Sequence, residues 1–211
     1  MIVTDIVEHT KSRCKVYINQ EFAFVLYKGE LRLYGVEKER ELSRENYLKL
    51  IKEVLPKRAK LRAMNLLKSR EYTRRQLGDK LRQGLYPEEV IEEALDYVAS
   101  YKYIDDERYA LSYIRYHSEQ KSRKSLELSL LKKGIDKNII RRAWILWEEE
   151  GNRQDEEAQI RRLLEKRKFD GCTADAKEIQ KTYAFLMRKG FSGETIRKFV
   201  KNDRNDDFYL T

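Results

Sequence analysis

Two prolines, two cysteines and two histidines in 211 residues each remove a class of protein. So little proline, with only nine glycines, argues against a sandwich or barrel built from many tight turns and favours long helices. Cys14 and Cys172 stand far apart and in no metal-like spacing, so neither a disulfide framework nor a zinc site is expected, and a reducing compartment is. His9 and His117 lie in no triad or metal spacing. Gly29, Gly35 and Gly78 are isolated, which leaves no phosphate-cradling loop. No apolar run approaches the roughly 20 residues of a membrane span. Met1-Ile2-Val3-Thr4-Asp5 also lacks the layout of a signal peptide. The expectation is a cytoplasmic protein with no cofactor, no metal and no catalytic residues.

What the chain has in quantity is charge and self-similarity. Charged residues make up 38% of it and the net charge is +9, which suggests an acidic partner such as nucleic acid or an acidic protein groove. Residues 57–105 hold 11 basic and 8 acidic side chains, and residues 106–154 repeat those numbers, so the excess is spread rather than confined to a tail. A shift of 49 residues lays Thr73-Arg74 on Ser122-Arg123, Leu77 on Leu126, Leu81 on Leu130, and Ala94-Leu95 on Ala143-Trp144. A looser third copy follows at 56 residues, with Leu186, Gly190, Phe191 and Ile196 on Leu130, Gly134, Ile135 and Ile140. Agreement of apolar, capping and basic positions together is the signature of a tandem structural unit.

The predicted fold is mainly α, with three tandem three-helix repeats preceded by a small N-terminal β-sheet/α unit. Its expected limits are 1–56 for the strands plus a helix, then repeats at 57–105, 106–154 and 155–204, with 205–211 as a tail. Residues 1–27 alternate in β-formers, and Asn19-Gln20 fits a tight hairpin turn. Ser43 starts a helix that Pro56 is expected to close. Thr73 and Ser122 cap the second helices of their repeats, and Gly84 and Gly134 stop them. Pro87 and Glu88-Glu89 fit a helix start. Asp170-Gly171-Cys172-Thr173 is where the third repeat gains a longer loop, and Asn202 to Thr211 reads as a frayed polar end.

Three runs of cations recur on these helices. They are Arg74, Arg75, Lys80 and Arg82; Arg123, Lys124, Lys132 and Lys133; and Arg161, Arg162, Lys166 and Arg167, followed by Lys168. Each cation has an ordinary explanation as a solvated face or a dipole partner at a helix C-terminus. Their recurrence supports a shared basic stripe that meets phosphates or an acidic groove. Tyr97, Tyr101, Tyr103, Tyr109, Tyr113 and Tyr116 crowd one junction, where packing between helices and base stacking are both open. Trp144 and Trp147 match Leu95 and Val98 of the first copy and are expected in the core. Asp105-Asp106 fits a helix start better than a magnesium site.

Tyr103-Ile104-Asp105-Asp106-Glu107-Arg108-Tyr109-Ala110 resembles the most specific motif of the RecX family, the bacterial modulators of the RecA recombinase. Arg70-Glu71-Tyr72-Thr73-Arg74-Arg75-Gln76-Leu77, Lys132-Lys133-Gly134-Ile135-Asp136 and Arg188-Lys189-Gly190-Phe191-Ser192 support the resemblance over about residues 57–200. Val16-Tyr17-Ile18-Asn19 and Glu21-Phe22-Ala23-Phe24 are similar to an extension of longer members. Lys102 stands where the family has glycine, Gly84 stands one residue earlier than its counterparts, and the third repeat lacks the Thr/Ser-Arg start. The resemblance implies a non-enzymatic, monomeric regulator that binds RecA filaments along their groove. It would restrain recombinase, ATPase and co-protease activity in recombination, DNA repair and the SOS response. The charge pattern also fits a general single-strand or duplex nucleic-acid-binding helical module acting without RecA, or an adaptor between two proteins.

Overall fold

Alternation in the first 27 residues produces three antiparallel strands in the order β1-β2-β3: β1 (Val3–Thr10), β2 (Arg13–Ile18) and β3 (Glu21–Tyr27). The computed structural model of the chain describes residues 1–200; the tail expected at 205–211 and the polar end from Asn202 lie outside the described residues. In β2, Cys14, Val16 and Ile18 are buried while Arg13, Lys15 and Tyr17 turn outward, as a period of two requires. Asn19 and Gln20 both take positive φ, 49° and 72°, the geometry of the tight hairpin turn whose twist matches the strands it joins. Residues 39–42 run beside the start of β1, with Val3 N–H donating to the Arg40 carbonyl at 2.9 Å.

After a short helix α1 (Lys28–Leu33), Ser43 caps α2 (Arg44–Lys49) by accepting from the Asn46 N–H at 3.1 Å. Pro56 does not close this helix. The backbone widens into a π segment, Leu50–Val54, and continues as α3 (Leu55–Leu67) with Pro56 in its first turn. Leu55 N–H donates to the Leu50 carbonyl five residues back. At the head of a new α segment the proline's missing N–H has no bond to break.

α3, α4 (Arg74–Gln83) and α5 (Glu88–Ser100) form the first repeat. Its core is continuous with that of the sheet: Val16, Phe24, Leu26, Leu50, Leu55, Leu77 and Leu95 belong to one buried cluster. The second repeat, α6 (Asp106–His117), α7 (Arg123–Lys132) and α8 (Lys137–Glu149), buries Ile114, Leu126, Leu130, Trp144 and Trp147 in its own core. The third, α9 (Glu156–Arg167), α10 (Ala176–Arg188) and α11 (Gly193–Val200), does so with Ile160, Leu186, Phe191 and Ile196. Met1–Asp105 forms one unit and Asp106–Thr211 the other.

Capping explains where the second helices begin. Thr73 and Gln76 make a full capping box on α4, Ser122 accepts from Ser125 N–H on α7, and Asp175 takes that role on α10. The left-handed stop is kept even where glycine is not. Gly134 and Gly190 have φ of 87° and 92°, and Leu85, which the 49-residue shift lays on Gly134, takes φ 61°. Gly84 is needed for another reason: a Cβ there would meet the Tyr86 ring at 2.9 Å. Lys102 likewise holds φ 55° where the repeat places Gly151 at 83°. Within the expected loop of the third repeat, the Asp170 carboxylate accepts from Cys172 N–H and the Thr173 hydroxyl, both at 3.0 Å.

Candidate functional site

In the first unit, α4 brings Arg74, Arg75, Lys80 and Arg82 onto one short helix, and the structure divides them. Arg74 reaches across to α5, where its Nη2 donates to Glu92 at 2.6 Å and Asp96 at 2.7 Å. Burial opposes the Arg74 charge, but its hydrogen bonds to Asp96 and Glu92 outweigh this and raise its pKa. Arg82 grips Asp79 at 2.9 Å and, through Nε at 3.0 Å, Glu88 in the first turn of α5. That bond to Glu88 raises the Arg82 pKa, and the same bond holds the Glu88 carboxyl below its usual range. Lys80 donates to Gln83, and Arg75 is exposed with no ion pair among the described residues.

The second unit repeats this division. Arg123, the counterpart of Arg74, donates to Glu127 at 3.1 Å and to Glu148 of α8 at 2.8 Å, with its guanidinium 4.7 Å from the Trp144 ring. Lys133 packs over the rings of Tyr109 and Tyr113. Arg161 pairs with Glu157, and Arg167 lies 4.5 Å over Phe185. Lys124, Lys132, Arg162 and Lys166 are exposed and form no ion pair among the described residues. Cations at equivalent helix starts thus hold helix two to helix three, whereas Arg75, Lys124, Lys132, Arg162 and Lys166 keep an unbalanced charge toward solvent. Glu88, Glu92, Asp96 and Glu148 sit on the next helix, so charge counted along one helix does not reveal them.

The tyrosines divide as well. Tyr97, Tyr109 and Tyr113 are half-buried, as packing between helices predicts, but Tyr101, Tyr103 and Tyr116 are 60%, 51% and 76% exposed. Tyr101 and Tyr103 lie nearly parallel with ring centroids 6.0 Å apart. Trp144 is fully buried and Trp147 nearly so, as their alignment with Leu95 and Val98 implied. Asp106 and Glu107 occupy the first turn of α6. Sequence reasoning missed a cleft of about 440 Å³ in the second unit, lined by Arg115, Ser118, Trp147, Gln159 and Arg162 among others. Its walls come from the second and third repeats, and Gln159 crosses between them to donate to the Ser118 carbonyl.

Three family models match these helices in order: the first three-helix domain of RecX over residues 59–97, the second over 105–143 and the third over 155–200. A "Regulatory protein RecX" of Caldanaerobacter subterraneus subsp. tengcongensis is 32% identical over 94% of this chain and 98% of its own length. The chain belongs to the RecX family. Another "Regulatory protein RecX", from Chromobacterium violaceum, is 32% identical over 72% of the chain and 95% of its own length. A RecX crystal structure from Lactobacillus salivarius has a TM-score of 0.53 at 29% identity, covering 69% of this chain and 94% of its own. A second solved structure, described as regulatory protein RecX, has a TM-score of 0.58 and covers 94% of this chain and 98% of its own. At 22% identity it speaks to the fold alone. Among the described residues no helix is long and apolar enough to cross a membrane.

Proposed function

We propose that this chain is a non-enzymatic, cytoplasmic and monomeric regulator that binds RecA nucleoprotein filaments and restrains RecA recombinase, ATPase and co-protease activity. Family membership across all three helical domains carries the reading, since relatives matched over nearly their whole length are named as regulatory proteins. The physics is compatible with it. Tandem units suit a partner that itself repeats, because linked weak contacts add through effective concentration. The cations available for such contacts are Arg75, Lys80, Lys124, Lys132, Arg162 and Lys166, joined by Arg167. Arg74, Arg82, Arg123 and Arg161 contribute by holding their helices in place, and Lys133 by covering the tyrosines of α6.

The deciding experiment measures RecA ATPase and strand exchange on single-stranded DNA with and without the purified chain. Inhibition that saturates near a fixed ratio of chain to RecA is the expected result. No effect at saturating chain, together with tight binding to bare DNA, would overturn the RecA reading in favour of a general nucleic-acid-binding module.

A further inference from the structure

The N-terminal sheet covers the first repeat's core with one face, and its other face, partly exposed apart from buried Val25, has a composition of its own. Strand pairing sets it out in rows. Tyr17 lies opposite Asp5 on β1 and Phe22 on β3, Lys15 lies opposite Val7 and Val25, and Arg13 lies opposite Tyr27. A register shift between Val16 and Tyr17 brings Phe22 rather than Ala23 beside Tyr17. Phe22, Tyr27 and Val7, on the two edge strands, are 41%, 42% and 43% exposed. The Tyr17 and Phe22 rings meet edge to face, with centroids 5.9 Å apart and planes at 71°. That geometry leaves ring faces uncovered that a parallel stack would hide.

Cations interleave with these rings. Arg13 and Lys15 form no ion pair among the described residues. Arg58 lies 4.8 Å over the Tyr27 ring, donates to the Val25 carbonyl at 3.1 Å and pairs with Glu30. Asp5, the acid in the Tyr17 row, is held by Lys38 at 3.0 Å. With its acids already paired, the face presents aromatic rings among uncompensated positive charge.

We propose that the outward face of the N-terminal sheet binds single-stranded nucleic acid, with Tyr17 and Phe22 stacking on bases and Arg13 and Lys15 meeting phosphates. Exposed rings between cations on an antiparallel sheet suit unpaired bases, whose π-faces are accessible only in a single strand. A protein partner fits less well: an apolar-centred contact would bury Arg13 and Lys15 without a counter-charge on this side. The inference is independent of the RecA reading, because it concerns bare oligonucleotide and a surface outside the helical repeats.

The test uses the full chain and fluorescently labelled oligothymidylate and oligouridylate of about 20 nucleotides, longer than the ~4–16 nucleotides that one single-strand groove covers. Anisotropy at low salt should show binding by the wild-type chain. Phe22→Ala should weaken it by about 5- to 150-fold, the loss of one base–aromatic stack, while Phe22→Tyr retains it. Lys15→Glu and Arg13→Glu should each flatten the dependence of affinity on salt, since each removes one phosphate contact. A preference for one oligonucleotide would say whether the strand is DNA or RNA. The proposal fails if the wild-type chain does not bind either, or if Phe22→Ala and Lys15→Glu, with circular dichroism unchanged, bind as well as wild type. It fails equally if binding is lost only on reversing Lys124 and Arg162. A Phe22→Ala chain that loses its hold on RecA but had none on oligonucleotide would make this face a protein contact.

Discussion

The Ser122 hydroxyl donates to the carbonyl oxygen of Lys189 at 2.8 Å while accepting from the Ser125 N–H, so one side chain both caps α7 and fastens it to the end of α10. Gly190 makes this approach possible. A Cβ there would stand 2.6 Å from the Ser122 oxygen, and its φ of 92° excludes most side chains independently. Gly190→Ala is therefore expected to lower stability by about 2 kcal/mol or more. Ser122→Ala should lower it by about 1–2 kcal/mol, through loss of a cap and of one buried hydrogen bond. Urea denaturation followed by circular dichroism measures both; a Gly190→Ala chain as stable as wild type would show that the two repeats are not joined here.

Charge reversal should separate the two kinds of cation. Arg75→Glu, Lys124→Glu and Arg162→Glu are expected to leave the thermal midpoint in place and to weaken binding to RecA-coated DNA by roughly three- to tenfold each, more at low salt. Arg74→Ala and Arg123→Ala remove bonds between helices two and three. They should lower stability by about 0.5–1 kcal/mol, discounted for the exposure of both pairs, with a smaller effect on binding. Equal effects of both sets on binding would mean that the paired arginines also touch the partner.

His117 gives the second unit a pH dependence of known sign. Burial, with charge from Lys121 and Lys133, lowers its pKa, and its Nδ1 is buried with no hydrogen-bond partner among the described residues. The ring sits between Tyr113 and Tyr116, at 4.4 and 4.9 Å. The unfolded chain therefore binds this proton more readily than the folded one, so stability is full above the ordinary histidine pKa of about 6.5 and falls as pH drops through it. Melts between pH 7.5 and 5.5 should show the decline, and His117→Gln should flatten it. A midpoint that rises on acidification over that window would contradict the assignment.

Lys102 tests whether backbone conformation or residue type defines the repeat. It holds φ 55° in a helix stop where Lys102 N–H donates to Ala99 and Tyr103 N–H to Val98, the bonds a glycine ordinarily closes. Lys102→Gly is expected to keep or slightly raise stability, and Lys102→Val to lower it by about 1–3 kcal/mol. A tolerated valine would show that the turn relaxes.

The repeat architecture was legible because it is written in apolar spacing and caps, and both survive in one sequence. Thr73, Ser122, Leu77, Leu126 and Trp144 lie where the 49-residue shift places them. Pro56 misled because a proline marks a break only if the backbone keeps its α geometry, and the π segment changes that. Gly84 does end α4 as its place in the sequence indicates, but the left-handed φ falls on Leu85, whose side chain tolerates it. For the candidate surface, the cations were visible but their partners were not. Arg74 meets Glu92 and Asp96 only after α4 and α5 fold together, and Phe22 meets Tyr17 only through a register shift.

The widened turn at Leu50–Val54 also sets a direction. Each residue in an α-helix advances the side chains by about 100°, so one added residue rotates everything downstream by that amount. Upstream, Tyr47 faces the sheet, its ring 6.3 Å from that of Phe24; downstream, Ala59 and Ala63 are buried in the first repeat. The widening thereby keeps Tyr47, Ala59 and Ala63 turned toward one continuous core. Deleting a single residue from this stretch would let the widened turn close to α geometry while Ala59 and Ala63 stay on the packed face.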